Sequence, residues 1–199
     1  MHKTRVKLCG ITCRKDALLA AQLGADALGF VFTESRRRID PEEARDIIAG
    51  LPPFIITVGV FMDQPMDEVN QILRITGVDR AQLHGSEPPD YCRRVKCRVV
   101  KSIRVRPEDS RETLLDRMRP YTVSGFVLDP GAGSGQTFDW HIARDLPQPI
   151  LLAGGLTPEN VKDAIQVARP FGVDVSSGIE SAPGKKDAEK MKRFFKEIE

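Results

Sequence analysis

Short hydrophobic runs recur about every 20 to 30 residues along the chain, and segments with a helical pattern separate them. The runs have the length of strands and cover residues 6–9, 27–32, 55–61, 81–84, 99–103, 125–129, 149–153 and 172–176. Because a helical segment follows each run, the pattern predicts parallel strands joined by right-handed crossovers.

Signals for the starts and ends of helices support this alternation. Asp40 precedes Pro41 and two acidic residues, the same order recurs from Thr157 to Glu159, and Gly24 ends the first helical pattern. The predicted helical segments cover 16–23, 63–73, 88–95, 111–118, 138–143, 157–168 and 187–198, and one further segment begins at residue 41.

Eight strand–helix units fit either an open doubly wound sheet or a closed barrel. Closure is favoured because an eight-stranded barrel leaves no edge strand. The length of 199 residues lies at the lower end of the barrel range. We therefore predict a compact single-domain α/β fold over residues 1–199, a (β/α)8 TIM barrel with eight parallel strands.

Alternation along each strand predicts which side chains face the barrel interior. The expected inward residues are Lys7, Cys9, Gln82, His84, Lys101, Val127, Asp129, Asp174 and Ser176, with Lys101 depending on Val100 packing outward. Active sites of such barrels lie at the carboxyl ends of the strands. Cys9, His84 and Asp129 are the candidates for chemistry at that end.

Small residues follow the last two strands and predict an anion site. Gly154 and Gly155 follow the seventh run, and Ser176, Ser177 and Gly178 end and follow the eighth. Such residues let backbone N–H groups approach an anion, and barrels often bind phosphate at this pair of loops. Simple turn chemistry is the alternative, but a phosphorylated small molecule is the favoured ligand.

Two further segments bear on the ligand. Arg36, Arg37 and Arg38 follow the second strand, where they either clamp a carboxylate or form a solvated turn. The glycine-rich segment 131–135 is expected to form a mobile lid. Its glycine spacing does not fit a dinucleotide fingerprint, so no nicotinamide cofactor is predicted.

Composition excludes several classes of protein. A net charge of +2 excludes a nucleic-acid binder that works by bulk charge, and no apolar stretch is long enough to span a membrane. Four cysteines are too few for a disulfide scaffold, and their spacing is looser than that of usual zinc ligands, so no metal is predicted. The chain starts without a targeting pattern and is expected to be cytoplasmic.

Motifs along nearly the whole chain resemble those of the phosphoribosylanthranilate isomerases, barrel enzymes of tryptophan biosynthesis. The opening KLCGIT at 7–12 is similar to the family's K-x-C-G-I-T. The resemblance continues with QLHG at 82–85, LD at 128–129, GSG at 133–135, AGGL at 153–156, VDVSSGIE at 173–180 and PGKKD at 183–187. It implies an Amadori rearrangement that uses neither metal nor cofactor.

The resemblance also implies roles for individual residues. Cys9 would be the general base and Asp129 the general acid. Arg37 matches the arginine that holds the anthranilate carboxylate, although Arg36 or Arg38 could take that place. The phosphate would be bound by Gly154, Gly155, Ser176, Ser177 and Gly178. The implied partner is a phosphorylated small molecule, with neither nucleic acid nor membrane, and the enzyme could be a monomer or a homodimer.

The acid–base pair requires unusual protonation states. A free thiol with a pKa near ~8.5 is mostly protonated at neutral pH, so we hypothesise that Lys7 stabilises the Cys9 thiolate. Asp129 must keep its proton to act as an acid, and we expect burial under segment 131–135 to favour that state. His84 is left out of the pair, as a neutral hydrogen-bonded histidine near the mouth.

Two alternatives remain. One is another phosphate-binding barrel isomerase, of the type that acts on the related aminoaldose of histidine synthesis. Those barrels use paired aspartates at the ends of strands one and six, whereas the first position here is Cys9. The other is a barrel that binds a phosphometabolite without catalysis, which would be expected to have lost Cys9 or Asp129.

Overall fold

Eight parallel strands form a closed barrel in which each strand pairs with the next and β8 pairs with β1. The computed structural model describes residues 3–131 and 135–198. The strands are β1 Arg5–Cys9, β2 Ala27–Val31, β3 Ile56–Phe61, β4 Arg80–Leu83, β5 Arg98–Arg104, β6 Phe126–Asp129, β7 Ile150–Leu152 and β8 Gly172–Val175. The predicted barrel class and strand order are confirmed.

Helices on the outside of the barrel connect most of the strands. They are α1 Arg14–Gln22, α2 Pro41–Ile48, α3 Met66–Thr76, α4 Pro89–Arg94, α5 Arg111–Met118, α6 Val161–Ala168 and α7 Ala188–Lys196. The Asp40 side chain accepts from the Glu42 N–H at the start of α2, and Asp187 caps α7 in the same way. The local start signals therefore position these helices.

One predicted helix is wrong in type. Segment 138–143 forms only a short 3₁₀ helix, Trp140–Ala143, between β6 and β7. Asp145 adopts a left-handed conformation with φ 55°, and Pro147 follows, so the segment has no room for a second turn.

A small antiparallel hairpin after β8 was not predicted. Its strands are β9 Glu180–Ala182 and β10 Lys185–Lys186, and Gly184 turns between them with φ 80°. A 3₁₀ turn at Ser177–Ile179 connects β8 to this hairpin. The hairpin strands are too short to give an alternating pattern in the sequence.

The barrel wall separates two apolar layers. Val6, Leu8 and Leu128 belong to the main core between the barrel and its helices, and this core extends to Phe195 in α7. A small inner layer contains Val100, Val127, Ala153 and Leu151. The core thus links both ends of the chain, although a single domain over 1–199 stays a prediction. Within the described residues, no helix is long and apolar enough to cross a membrane.

The prediction that Lys101 faces the barrel interior is wrong. Val100 lies in the inner layer, so Lys101 points away from the barrel interior. Its ammonium group donates to the carbonyls of Leu83 (3.1 Å) and Gly85 (2.7 Å), lies 3.0 Å from Glu87 Oε2 and sits over the ring of Tyr121. These partners stabilise a buried cation outside the barrel, and hydrophobic alternation carries no information about them.

Candidate active site

A cavity of about 320 Å³ opens at the carboxyl ends of the strands. Its lining includes most of the predicted site residues: Cys9, Arg37, Gln82, His84, Asp129, Gly154, Gly155, Asp174, Ser176 and Ser177. Residues far apart in the chain therefore meet at one mouth, as expected for this fold.

Cys9 ends β1, and its thiol is half-buried at the cavity. Gly29 on β2 makes room for it, because a Cβ there would lie 2.9 Å from the sulfur. Burial raises the pKa of the Cys9 thiol above its ordinary value and Asp174 adds to this, while Lys7 and Lys186 oppose it. The hypothesised effect of Lys7 has the expected direction, but burial outweighs it.

Lys7 forms a buried ion pair with Asp174. Lys7 Nζ lies 2.7 Å from Asp174 Oδ2, and both side chains are almost fully buried. Burial disfavours the charged ammonium, but Asp174 and the nearby Cys9 more than offset this and raise the pKa of Lys7. Lys7 therefore keeps its charge on the same strand face as the thiol.

Asp129 ends β6 and has two polar neighbours at the cavity. Its Oδ1 accepts a 2.7 Å bond from the Gly131 N–H, and its Oδ2 lies 3.8 Å from His84 Nε2. Residues 132–134 of the predicted lid lie outside the described residues, whereas Gly131 and Gly135 both border the cavity.

His84 is held from behind by two side chains. Its Nδ1 lies 3.2 Å from the amide nitrogen of Gln82 and 3.0 Å from Ser102 Oγ. An amide nitrogen only donates, so Nδ1 accepts and the ring proton sits on Nε2, the nitrogen nearer Asp129. Burial lowers the pKa of His84, with Asp129 opposing, so the ring is neutral at neutral pH.

Arg37 is the one arginine of its run that lines this cavity among the described residues, whereas Arg36 borders a neighbouring depression. Its Nε and Nη2 donate to the two carboxylate oxygens of Glu180 at 2.9 and 2.8 Å. Gly10, with φ 77°, makes room for the side chain, because a Cβ there would lie 2.6 Å from Arg37 Cδ. This placement favours Arg37 over its neighbours as a ligand for an anionic group.

The loops after β7 and β8 meet closely at glycines. Gly154 and Gly155 have φ of 88° and 59°, and a Cβ on Gly178 would collide with the carbonyl oxygen of Leu156. Among the described residues, the backbone N–H groups of Gly154, Gly155, Ser177 and Gly178 have no hydrogen-bond acceptor. Such a cluster of free donors suits a phosphate.

Ser176 differs from the other four predicted phosphate ligands. Its hydroxyl donates to the carbonyl oxygen of Cys9 at 3.0 Å, so its proton is already engaged. Ser176 therefore joins the ends of β1 and β8 in addition to lining the cavity.

Sequence reasoning missed a buried polar group beside the site. Lys186 Nζ donates to the carbonyls of Cys9 (2.6 Å) and Ser176 (3.3 Å) and to Glu180 Oε1 (2.8 Å). Glu180 and Lys186 belong to the motifs VDVSSGIE and PGKKD, which were the available signal. Neither motif indicates that Glu180 and Lys186 turn toward the site.

The described residues contain no group of three or more histidine, cysteine, aspartate or glutamate side chains that could hold a metal ion. The polar groups at the mouth are instead a thiol, a carboxyl group, a neutral imidazole and a guanidinium. This set suits proton transfer on an anionic substrate.

Comparison with known proteins gives consistent results. Residues 6–197 match the family model described as N-(5'phosphoribosyl)anthranilate (PRA) isomerase. N-(5'-phosphoribosyl)anthranilate isomerase of Geobacter metallireducens is 49% identical over 96% of this chain and 97% of its own length. The protein of that name from Pelobacter propionicus is 52% identical over 96% of this chain and 94% of its own length.

Solved structures agree. Phosphoribosyl anthranilate isomerase from Thermus thermophilus is 41% identical and superposes with a TM-score of 0.90 over 98% of both chains. A phosphoribosyl anthranilate isomerase in complex with reduced 1-(o-carboxyphenylamino)-1-deoxyribulose 5-phosphate is 41% identical, with a TM-score of 0.86 over 98% of both chains.

Proposed function

Since the chain belongs to the N-(5'-phosphoribosyl)anthranilate isomerase family, we propose that Cys9 and Asp129 carry out its acid–base chemistry. The enzyme isomerises N-(5-phosphoribosyl)anthranilate to 1-(2-carboxyphenylamino)-1-deoxyribulose 5-phosphate, an aldose–ketose isomerisation of tryptophan biosynthesis. One observation carries the assignment of the pair: Cys9 and Asp129 end β1 and β6 and border the same cavity.

Asp129 acts first, as the general acid. It donates a proton to the ring oxygen of the furanose, the bond from that oxygen to C1′ breaks, and the nitrogen lone pair forms a protonated Schiff base. The Gly131 N–H and His84 Nε2 then face the new carboxylate and stabilise it. At 3.8 Å the neutral Nε2–H of His84 is too far from Asp129 Oδ2 for a hydrogen bond, so it stabilises the carboxylate as a nearby dipole and adds no full charge to the site.

Cys9 acts second, as the general base. Its thiolate removes the proton from C2′, and the electron pair moves toward the Schiff base nitrogen to give an enolamine. The enolamine takes up a proton at C1′ and loses the proton of its 2′-hydroxyl, which gives the ketone. Burial raises the pKa of the Cys9 thiol, whereas Lys7, Lys186 and the positive charge of the Schiff base favour the thiolate that acts as the base.

The ends of the substrate bind on either side of the reacting carbons. Arg37 holds the anthranilate carboxylate, supported by its place at the cavity and its fixed guanidinium. Gly154, Gly155, Ser176, Ser177 and Gly178 hold the phosphate, supported by the free N–H groups of the two loops. Binding at both ends keeps the sugar between the acid and the base.

The test is the loss of phosphoribosylanthranilate fluorescence on adding the purified protein. Cys9→Ala and Asp129→Asn should each abolish the signal while the variants stay folded. Full activity in either variant would overturn that residue's role. Turnover of the aminoimidazole sugar phosphate of histidine synthesis would revive the histidine-type alternative, which the comparisons do not favour.

We further propose a cytoplasmic enzyme whose partner is a phosphorylated small molecule, acting as a monomer or a homodimer. The four cysteines are unpaired, which suits a reducing compartment, and amino-acid biosynthesis supports the same location. Sedimentation of the purified protein distinguishes the two oligomeric states.

A further inference from the structure

Glu180 lies at the start of β9 and receives three hydrogen bonds on its carboxylate. Two come from Nε and Nη2 of Arg37 and one comes from Lys186 Nζ, at 2.8 to 2.9 Å. Its side chain is only 4% exposed. Arg37 and Lys186 hold the pKa of Glu180 below its ordinary value although burial opposes them, so the group is a fixed anion.

The bidentate contact determines which edge of the guanidinium remains available. A guanidinium donates from two edges, each of which matches the two oxygens of a carboxylate. Glu180 occupies the Nε–Nη2 edge of Arg37. Among the described residues Nη1 has no acceptor, so the Nη1–Nη2 edge remains available to a ligand on a side chain that borders both the cavity and the neighbouring depression.

The charges of the cluster also suit an anion. Arg37 and Lys186 are cations and Glu180 is one anion, so the three groups together keep one net positive charge. Without Glu180, the two cations would lie unscreened beside each other and Arg37 would lose the partner that fixes its plane. Glu180 thus cancels one of the two positive charges and fixes the orientation of Arg37.

The same cluster reaches the catalytic base. Lys186 joins the carbonyl of Cys9 at the end of β1 to that of Ser176 at the end of β8. Glu180 accepts from Lys186 as well as from Arg37. The Glu180–Lys186 pair therefore connects Arg37 to the backbone of Cys9. This pair belongs to the hairpin β9–β10, outside the barrel strands themselves.

We propose that Glu180 is a positioning residue that fixes Arg37 with its free edge toward the cavity, and thereby selects substrates that carry a carboxylate on the aryl amine. The inference rests on the proposed role of Arg37 in binding that carboxylate. Glu180 acts through Arg37 and does not itself touch the substrate.

The test compares two ligands by calorimetry. One is reduced 1-(o-carboxyphenylamino)-1-deoxyribulose 5-phosphate, and the other is the same molecule without the carboxyl group. Glu180→Asp keeps the charge but withdraws the carboxylate by one methylene, so the bidentate contact is lost. We expect this variant to bind the carboxylated ligand about ten-fold more weakly and the other ligand unchanged. KM should rise with little change in kcat.

A second variant guards against a folding defect in the first. Glu180→Gln together with Lys186→Met removes one charge of each sign, so the net charge of the cluster stays the same. It should show the same selective loss. Lys190→Met is the matched control, because Lys190 donates to the Glu180 backbone carbonyl and leaves the carboxylate contacts in place. The control should bind both ligands as the wild type does.

Arg37→Met tests the proposed role of Arg37 separately from that of Glu180. If Arg37→Met shows no selective loss, the proposed role of Arg37 fails and the inference fails with it. If Arg37→Met is selective but both Glu180 variants weaken the two ligands equally, or weaken neither, the role of Arg37 stands and the positioning role of Glu180 is overturned.

Discussion

Lys7 lies two residues before Cys9 on β1, and its ammonium group is 2.7 Å from the carboxylate of Asp174 on the neighbouring strand β8. Lys7→Met removes a cation that lowers the pKa of the thiol and leaves Asp174, which raises it. We expect the pH midpoint of Cys9 alkylation by iodoacetamide to move upward in this variant. An unchanged midpoint would show that Lys7 does not act on the thiol.

The same substitution should reduce stability, because it leaves a buried carboxylate without its partner. Breaking a buried ion pair costs about 3 to 5 kcal/mol of unfolding free energy. The control variant combines Lys7→Met with Asp174→Asn, which removes both charges. It should regain most of that stability in urea, and its alkylation midpoint should lie below that of Lys7→Met alone.

His84 predicts a pH dependence of stability. Burial lowers its pKa in the folded protein, whereas the unfolded chain has the ordinary value of 6.5. Below pH 6.5 the unfolded state therefore binds more protons, and stability falls as the pH falls. His84→Asn should lose less unfolding free energy between pH 7.5 and pH 5.5 than the wild type does.

Urea unfolding at the two pH values measures this difference. His141→Asn is the matched control for the loss of an imidazole, because His141 is exposed to solvent. Equal losses in His84→Asn and the wild type would mean that His84 does not resist protonation.

The barrel could be predicted from the sequence because its strands repeat one pattern: an apolar run, a turn and a helix with its own start signal. Cys9 and Asp129 could be placed at the mouth because each ends such a run. Lys101 could not be placed, since its direction depends on carbonyls and on Glu87, which belong to other elements.

The hairpin and its charges were beyond prediction for a related reason. Glu180 and Lys186 lie six residues apart in a polar segment, and their partners Arg37 and Cys9 lie more than 140 residues earlier. Polar contacts between distant segments have no periodicity that a sequence can display. The resemblance to a family marked the segment without giving the contacts.

Gly178 lies where the loops after β7 and β8 approach each other, and its substitution tests the proposed phosphate site. A Cβ at this position would collide with the carbonyl oxygen of Leu156, so Gly178→Ala must move the loop after β8 away from the loop after β7. We expect a loss of about 1 to 3 kcal/mol in unfolding free energy. Inhibition by inorganic phosphate should weaken as well, because the N–H groups of the two loops no longer converge.

Gly172→Ala is the matched control for a crowded glycine away from the site. Gly172 lies at the other end of β8, where a Cβ would be 2.7 Å from the carbonyl oxygen of Arg5. This variant should lose stability and keep its inhibition constant for phosphate. If both variants keep that constant, the loops do not bind phosphate through their approach at Gly178.

Substitutions at Lys101 should affect stability and not catalysis, because its ion pair with Glu87 lies outside the barrel interior. Lys101→Met leaves the buried Glu87 without its cationic partner, so the unfolding free energy should fall by about 3 to 5 kcal/mol. The double variant with Glu87→Gln should recover most of this. In both variants kcat/KM should stay within about two-fold of the wild type, because neither side chain borders the catalytic cavity. A large loss of kcat with intact folding would contradict the conclusion that Lys101 lies outside the barrel interior and has no part in catalysis.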